Sequence, residues 1–118
     1  MKRPKIVELA WAAGLFEGEG SICLVHSNRK NRTYVYPALT MNQTDRDVIM
    51  RFSEIVGGYV LGPYQFASNS ARTRKPVWSW RVQKKHEAIR VICWLYPYLG
   101  KRRRKRADEV FGKEVFQK

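Results

Sequence analysis

Apolar residues at Ile6, Leu9, Ala10, Ala13 and Phe16 recur at helical spacing and predict a helix from about Lys5 to Gly18. Beyond Gly20 the pattern changes to a strand, Ser21 to Ser27, followed by a polar tract, Asn28-Arg-Lys-Asn-Arg32, that predicts a hairpin loop. The next strand, Thr33 to Asn42, alternates: Val35, Leu39 and Met41 fall on one face, Tyr34, Tyr36, Thr40 and Asn42 on the other. Thr44 suits the N-cap of a helix from Asp45 to about Val56, with Asp45 and Asp47 favourable in its first turn and Gly57-Gly58 as its stop. A third strand is expected from Tyr59 to Phe66, bent at Gly62-Pro63, and then a polar, basic loop from Ala67 to Pro76. The fourth strand, Val77 to Gln83, sets Trp78, Trp80 and Val82 against Ser79, Arg81 and Gln83. A helix from about Lys85 to Tyr96 should break before Pro97, and a last one should run from Lys101 towards Phe116.

The predicted order is αββαββαα, an α+β fold in one domain spanning residues 1–118. One four-stranded antiparallel sheet with its helices gathered on one face buries these patterns most economically. Leu39, Trp78, Trp80 and Ile92 are then core, and the polar strand faces stay open.

Charge gives that open face a meaning. Lys and Arg outnumber Asp and Glu by 23 to 10, a net charge of +13 and an isoelectric point near 10.2. Such an excess favours a polyanionic partner, because phosphate neutralisation with counterion release dominates nucleic-acid affinity. A β-ribbon can enter a DNA major groove, so the open sheet face is a candidate platform; the plainer reading is a solvated sheet. No apolar run reaches the length of a membrane span, and Met1-Lys-Arg-Pro-Lys5 leads into no signal-peptide core. An intracellular protein, of the cytoplasm or an organelle, is expected. Cys23 and Cys93 are lone cysteines expected as reduced thiols, and with His26 and His86 far apart they predict no zinc site.

The candidate chemistry lies at the end of the first helix. Ala10, Gly14 and Gly18 form a small-residue stripe at four-residue spacing, against which a second backbone can approach closely. Glu17 and Glu19 then place two carboxylates at a helix C-terminus, where the macrodipole disfavours negative charge. A glycine C-cap and tight turn would account for the glycines alone. A local rule broken without stabilising return points instead towards function.

The string Ala12-Ala-Gly-Leu-Phe-Glu-Gly-Glu-Gly20 resembles the signature of the LAGLIDADG homing endonucleases. Ala13, Gly14, Leu15 and Gly20 match it letter for letter, Glu17 and Glu19 keep acids where it has aspartates, and Ala12 departs from its usual leucine. The resemblance implies a four-stranded saddle lying in the DNA major groove, and two signature helices packed side by side. Each helix would deliver one acid to a shared metal centre. A single signature implies a homodimer cutting a near-palindromic double-stranded site, with Ala10, Ala13, Gly14, Glu17 and Gly18 at the helix contact. It assigns Glu19 as the ligand of Mg²⁺, or of another divalent cation such as Mn²⁺. The Gly18 carbonyl can add a ligand, and Glu17 supports the site.

Gln43 resembles the polar residue that orders water near the metals, although its place also suits an ordinary loop before a helix. A basic residue near the cleaved phosphate follows Pro97-Tyr-Leu-Gly100: Lys101 is the first choice, with Arg102 or Arg103 open in the run Lys101–Arg106. For DNA contact the strand parity of Glu19 points to Ser21, Cys23, Val25 and Ser27, and the neighbouring strands offer Tyr34, Tyr36, Thr40, Asn42, Gln65, Arg81 and Gln83. Arg29, Arg32, Arg72 and Arg74 in loops can reach bases or backbone. Against the nuclease stand a DNA- or RNA-binding module on the same fold, such as an intron maturase or regulator, and a basic RNA-associated protein with a chance match.

Overall fold

The computed structural model describes residues 1–65 and 75–117. Its elements are α1 (Ile6–Glu19), β1 (Gly20–Arg29), β2 (Arg32–Gln43), α2 (Arg46–Val56), β3 (Tyr59–Tyr64), β4 (Val77–Val82), α3 (Lys85–Leu95) and α4 (Lys101–Phe111). The order is the expected αββαββαα, and the strands form one antiparallel sheet ordered β1-β2-β4-β3. Expected positions Phe66, Arg72 and Arg74 lie outside the described residues.

Strand alternation decides which face is covered. Ile22 faces Leu39, Leu39 faces Val82, Met41 faces Trp80, and all five are buried. Leu9, Ala12, Ala13 and Phe16 of α1, Ile49, Phe52 and Val56 of α2, and Ala88, Val91, Ile92 and Leu95 of α3 close over them. Trp78, half-buried, packs against this core. At its centre Phe52 meets Trp80 edge-on, ring centroids 4.8 Å apart at 87°, and stacks on Phe16 at 6.4 Å. The Trp80 indole donates to the Gly57 carbonyl at 2.8 Å, satisfying the one polar atom the ring carries inward.

Several boundaries differ from expectation for local reasons. The hairpin turn is only Lys30-Asn31, both with positive φ (48° and 65°), the two-residue geometry that matches strand twist. The predicted cap, Thr44, is replaced: α2 begins a residue later with Asp45 at the N-cap. There the Gln43 side-chain oxygen accepts from the backbone N–H of Thr44 (3.0 Å) and Asp45 (3.4 Å). Helix α3 stops at Leu95, and Tyr96-Pro97-Tyr98 forms a 3₁₀ turn. The last helix ends at Phe111 rather than near Phe116, because Gly112 takes φ +94°, which no helix continues. A second 3₁₀ turn, Lys113–Phe116, then folds back and stacks Phe116 on Tyr96 at 4.1 Å.

Helix α4 runs beside the outer edge of β1 rather than over the sheet. Arg106 Nε donates to the Ile22 carbonyl at 3.1 Å, covering an edge-strand acceptor that would otherwise invite another strand.

The Trp80 cluster makes a direct stability prediction. Trp80→Ala should lower the unfolding free energy by about 3–5 kcal/mol. Trp80→Phe should cost less, about 1–3 kcal/mol, from the orphaned Gly57 carbonyl. Urea unfolding followed by far-UV circular dichroism reads both; equal, small losses would show that the cluster does not carry the core.

Candidate active site and nucleic-acid interface

The junction of α1 with β1 fixes the position of Glu19. A Cβ on Gly20 would overlap the Phe16 ring, so the last glycine of the string is required by packing, with the chain otherwise in ordinary extended conformation (φ −81°). Gly14 and Gly18 are the opposite case. Both are exposed, and a Cβ on either would meet nothing within 4 Å. With exposed Ala10 they continue a stripe that begins at Ile6 and Val7, which are 68% and 78% exposed. This face of α1 is apolar, flat and uncovered. Ala13, expected on it, instead lies at 0% exposure inside the core, one hundred degrees around the helix from Gly14, and offers no surface to a partner.

Glu17, also expected at that contact, turns inward. Its Oε2 accepts the backbone N–H of Gly100 at 3.2 Å, tying the end of α1 to the start of α4. Its carbonyl oxygen, one of those left unpaired by the helix end, accepts from Arg103 Nε at 3.3 Å. Glu17 is thus a structural brace. Glu19 is exposed and makes no hydrogen bond or ion pair among the described residues. The neighbouring Gly18 carbonyl sits in the last helical turn, where carbonyls lack intrahelical donors. One chain therefore presents one carboxylate and adjacent carbonyl oxygen, hard donors of the kind Mg²⁺ accepts. No group of three or more His, Cys, Asp or Glu that could hold a metal occurs among the described residues.

Cations approach from α4. An open cleft is lined by Ser21, Ile22, Arg102, Arg103, Lys105, Arg106 and Glu109. Within the run, Arg103 and Arg106 are committed to backbone carbonyls. Arg102 is exposed and lines the cleft with Ser21, two residues past Glu19. Lys101, the first choice from sequence, is exposed at the first turn of α4 and does not line this cleft. The brace and the two clamps had no signal in the sequence beyond the three-residue spacing of Arg103 and Arg106.

The open face of the sheet is organised in rows. Past the first pair of β1 and β2, Gly20 with Met41, lies a row of Asn42 paired with Ser79, which pairs with Leu61. The next row is Ser21, Thr40, Arg81 and Tyr59. Beyond it only β1 and β2 continue, as Cys23 with Ala38, Val25 with Tyr36, Ser27 with Tyr34, and Arg29 with Arg32 at the tip. The expected strand residues share this face. Ser79 shares it, as the alternation of β4 predicts. Tyr59 and Leu61 belong to it too; the pairing of β3 with β4 put them there, and sequence alternation without that register did not reveal them. Gln83 lies just past the end of β4 and Gln65 just past β3. Gln43, the last residue of β2, has the parity of Leu39 and Met41, and no hydrogen bond joins it to Glu19.

No protein-family model and no curated protein sequence matches the chain. Solved structures of LAGLIDADG homing endonucleases do. I-CvuI in complex with its target superposes with a TM-score of 0.67 at 20% identity, over 92% of this chain and 66% of that one. I-CeuI, a group I intron-encoded homing endonuclease complexed with DNA, gives 0.69 at 13% identity, over 94% of this chain and 55% of that one. I-GzeII in complex with a DNA target gives 0.63 at 16%, over 92% and 34%. At such identities the likeness establishes the fold. The chain spans two thirds or less of the structures it matches.

Two glycines of one motif should respond oppositely to the same change. Gly14→Ala should raise the stability of the dilute chain by about 0.5–1 kcal/mol, the helix-interior penalty of glycine. Gly20→Ala should lower it by about 1–3 kcal/mol through overpacking against Phe16. Denaturant titrations at low protein concentration decide this; destabilisation by both would mean that the α1 face is covered within the chain.

Proposed function

From the premise that this chain has the LAGLIDADG homing-endonuclease fold, we propose that it is a homodimeric, divalent-metal-dependent endonuclease cutting double-stranded DNA at a near-palindromic site. One observation carries the proposal: a stripe of Ala10, Gly14 and Gly18, exposed among the described residues, runs to an exposed Glu19 that has no ion pair or hydrogen bond among them. A second α1 packed on that stripe brings two Glu19 carboxylates and two Gly18 carbonyls to the symmetry axis. Carboxylates so placed repel unless a cation lies among them.

The donor set of Glu19 and the Gly18 carbonyl fits Mg²⁺ or Mn²⁺, and I-CvuI structures with DNA were solved in the presence of Ca or Mg. When bound, such an ion neutralises the scissile phosphate and supports in-line hydrolysis. The chain's own groups do the rest. The Gln43 side-chain oxygen is held by two backbone donors, which leaves its NH₂ to donate to water or a phosphate oxygen. Arg102, in the cleft beside Ser21, is better placed than Lys101 to offset charge developing on the cleaved phosphate. Glu17, by fixing α1 to α4, sets the distance between these cations and Glu19. The open sheet face lies in the major groove, and Arg29 and Arg32 at the hairpin tip meet phosphates. An intron interrupting the target is the expected setting of the gene.

Glu19→Gln should abolish cleavage of a palindromic duplex library in Mg²⁺ while leaving DNA binding within a few-fold of the parent. Gly14→Leu, which has room in the free chain, should leave a folded monomer by sedimentation and no cutting. Cleavage by the Glu19→Gln protein would remove the metal-ligand assignment. RNA binding without nicking by the parent would favour a maturase on the same fold.

A further inference from the structure

The rows of the open sheet face are almost all neutral: hydroxyl, amide, aromatic and small apolar side chains. Away from the hairpin tip, where Arg29 and Arg32 stand, Arg81 is the single cation among the described strand residues on this face, and no carboxylate shares it. It lies in an inner strand, between Thr40 and Tyr59, in the row of Ser21, which is two residues past Glu19 in the chain.

Its side chain is half-buried, and its Nε donates to Ser79 Oγ at 3.3 Å. Ser79 is 4% exposed, the one buried polar residue among those described, and its hydroxyl is used on Arg81. An unanchored arginine on a sheet face sweeps a wide volume. This one has lost much of that freedom before any ligand arrives, and it has no ion-pair partner among the described residues. The bond through Nε occupies one donor and leaves both terminal nitrogens of the fork.

We propose that Arg81, held through Nε by the buried Ser79 hydroxyl, reads a guanine in the inner part of each DNA half-site. The inference rests on the DNA-binding reading above and adds which residue carries sequence information. A planar fork with two free nitrogens matches guanine O6 and N7, the acceptor pair that only a G·C pair shows in the major groove. Phosphates run along the rims of that groove, where the tip arginines and the α4 cations lie. Adjacent strands are about 4.8 Å apart, so Arg81 stands about 10 Å across the sheet from Ser21. The position read is therefore close to the cleavage centre. Pre-organisation by Ser79 makes Ser79 a positioning residue, since it spares binding part of the entropy of fixing a long side chain.

Binding selection from a randomised duplex library tests this with the parent, Arg81→Ala, Arg81→Lys and Ser79→Ala proteins, each checked for an unchanged thermal midpoint. The parent should enrich guanine, about tenfold or more over other bases, at one symmetric pair of inner positions. Arg81→Ala and Arg81→Lys should both lose that preference and keep the others, because lysine retains the charge but not the fork. Ser79→Ala should weaken the same preference while leaving affinity for non-specific duplex unchanged. Retention of the guanine preference by Arg81→Lys, or a uniform loss of affinity with a shallower salt dependence in Arg81→Ala, would make Arg81 a phosphate contact and overturn the assignment. A parent that selects a sequence independent of Arg81 overturns only this inference; a parent that binds no duplex DNA overturns the function proposed above as well.

Discussion

The Phe16 ring lies on the backbone of Gly20, and this contact sets the geometry of everything around it. The ring belongs to the last turns of α1 and stacks on Phe52, which in turn meets Trp80 on β4. Because no side chain fits at Gly20, α1 passes into β1 with no intervening loop, and Glu19 is stranded at the seam. A carboxylate placed on a loop would sample many positions. Here its backbone is pinned on one side by the aromatic core and on the other by α4, through the Gly100–Glu17 and Arg103–Glu17 bonds.

The same seam explains how a chain of +13 keeps cations near a carboxylate without quenching it. Arg103 and Arg106 spend their Nε groups on backbone carbonyls, and the one ion pair among the described residues, Arg106 with Glu109, is a surface contact within α4. Such a pair contributes little to stability. The clamps act instead by satisfying acceptors that the end of α1 and the edge of β1 leave over. Their charge stays beside Glu19 while their hydrogen bonds are used elsewhere.

Much of the fold was legible because its two periodicities are clean. Alternation in β2 and β4 separated Leu39, Met41, Trp80 and Val82 from Thr40, Asn42 and Arg81, since one face of an antiparallel sheet is largely buried and the other is not; it missed that Val35, towards the hairpin tip, is exposed and that Ser79 is buried beneath Arg81. The α1 string likewise singled out Glu19, which the structure leaves exposed. Ala13 was misjudged because a stripe read at four-residue spacing does not say how wide the covered sector is; the core takes Ala13 and leaves Gly14. Glu17 keeps the supporting role expected of it, but its carboxylate turns inward instead of lining the helix contact. Its partner is a backbone N–H at Gly100, and backbone donors carry no sequence signature. The cation run left its register open for a related reason, because six adjacent basic residues wind all round a helix and only tertiary packing separates clamps from exposed groups. Gly112 ended α4 where composition alone favoured continuation, a case of one residue's conformation outweighing the helix-forming neighbours around it.

The glycines on the exposed side of α1 remain the strongest reason to treat this chain as half of something. Each costs a helix about 1 kcal/mol relative to alanine, and a domain of this size has only about 5–15 kcal/mol in hand. Nothing among the described residues returns that cost, since a Cβ at either position would stand in open space. Ile6 and Val7 add exposed apolar area to the same face, which water also penalises. A second helix lying on the stripe answers both at once: it covers the apolar residues, and it uses the missing Cβ atoms to bring backbones within van der Waals contact. Because the stripe ends at Gly18, the closest approach of two such helices falls beside Glu19. Under the proposed pairing, packing that is unfavourable for one chain would become the means by which two carboxylates are brought together.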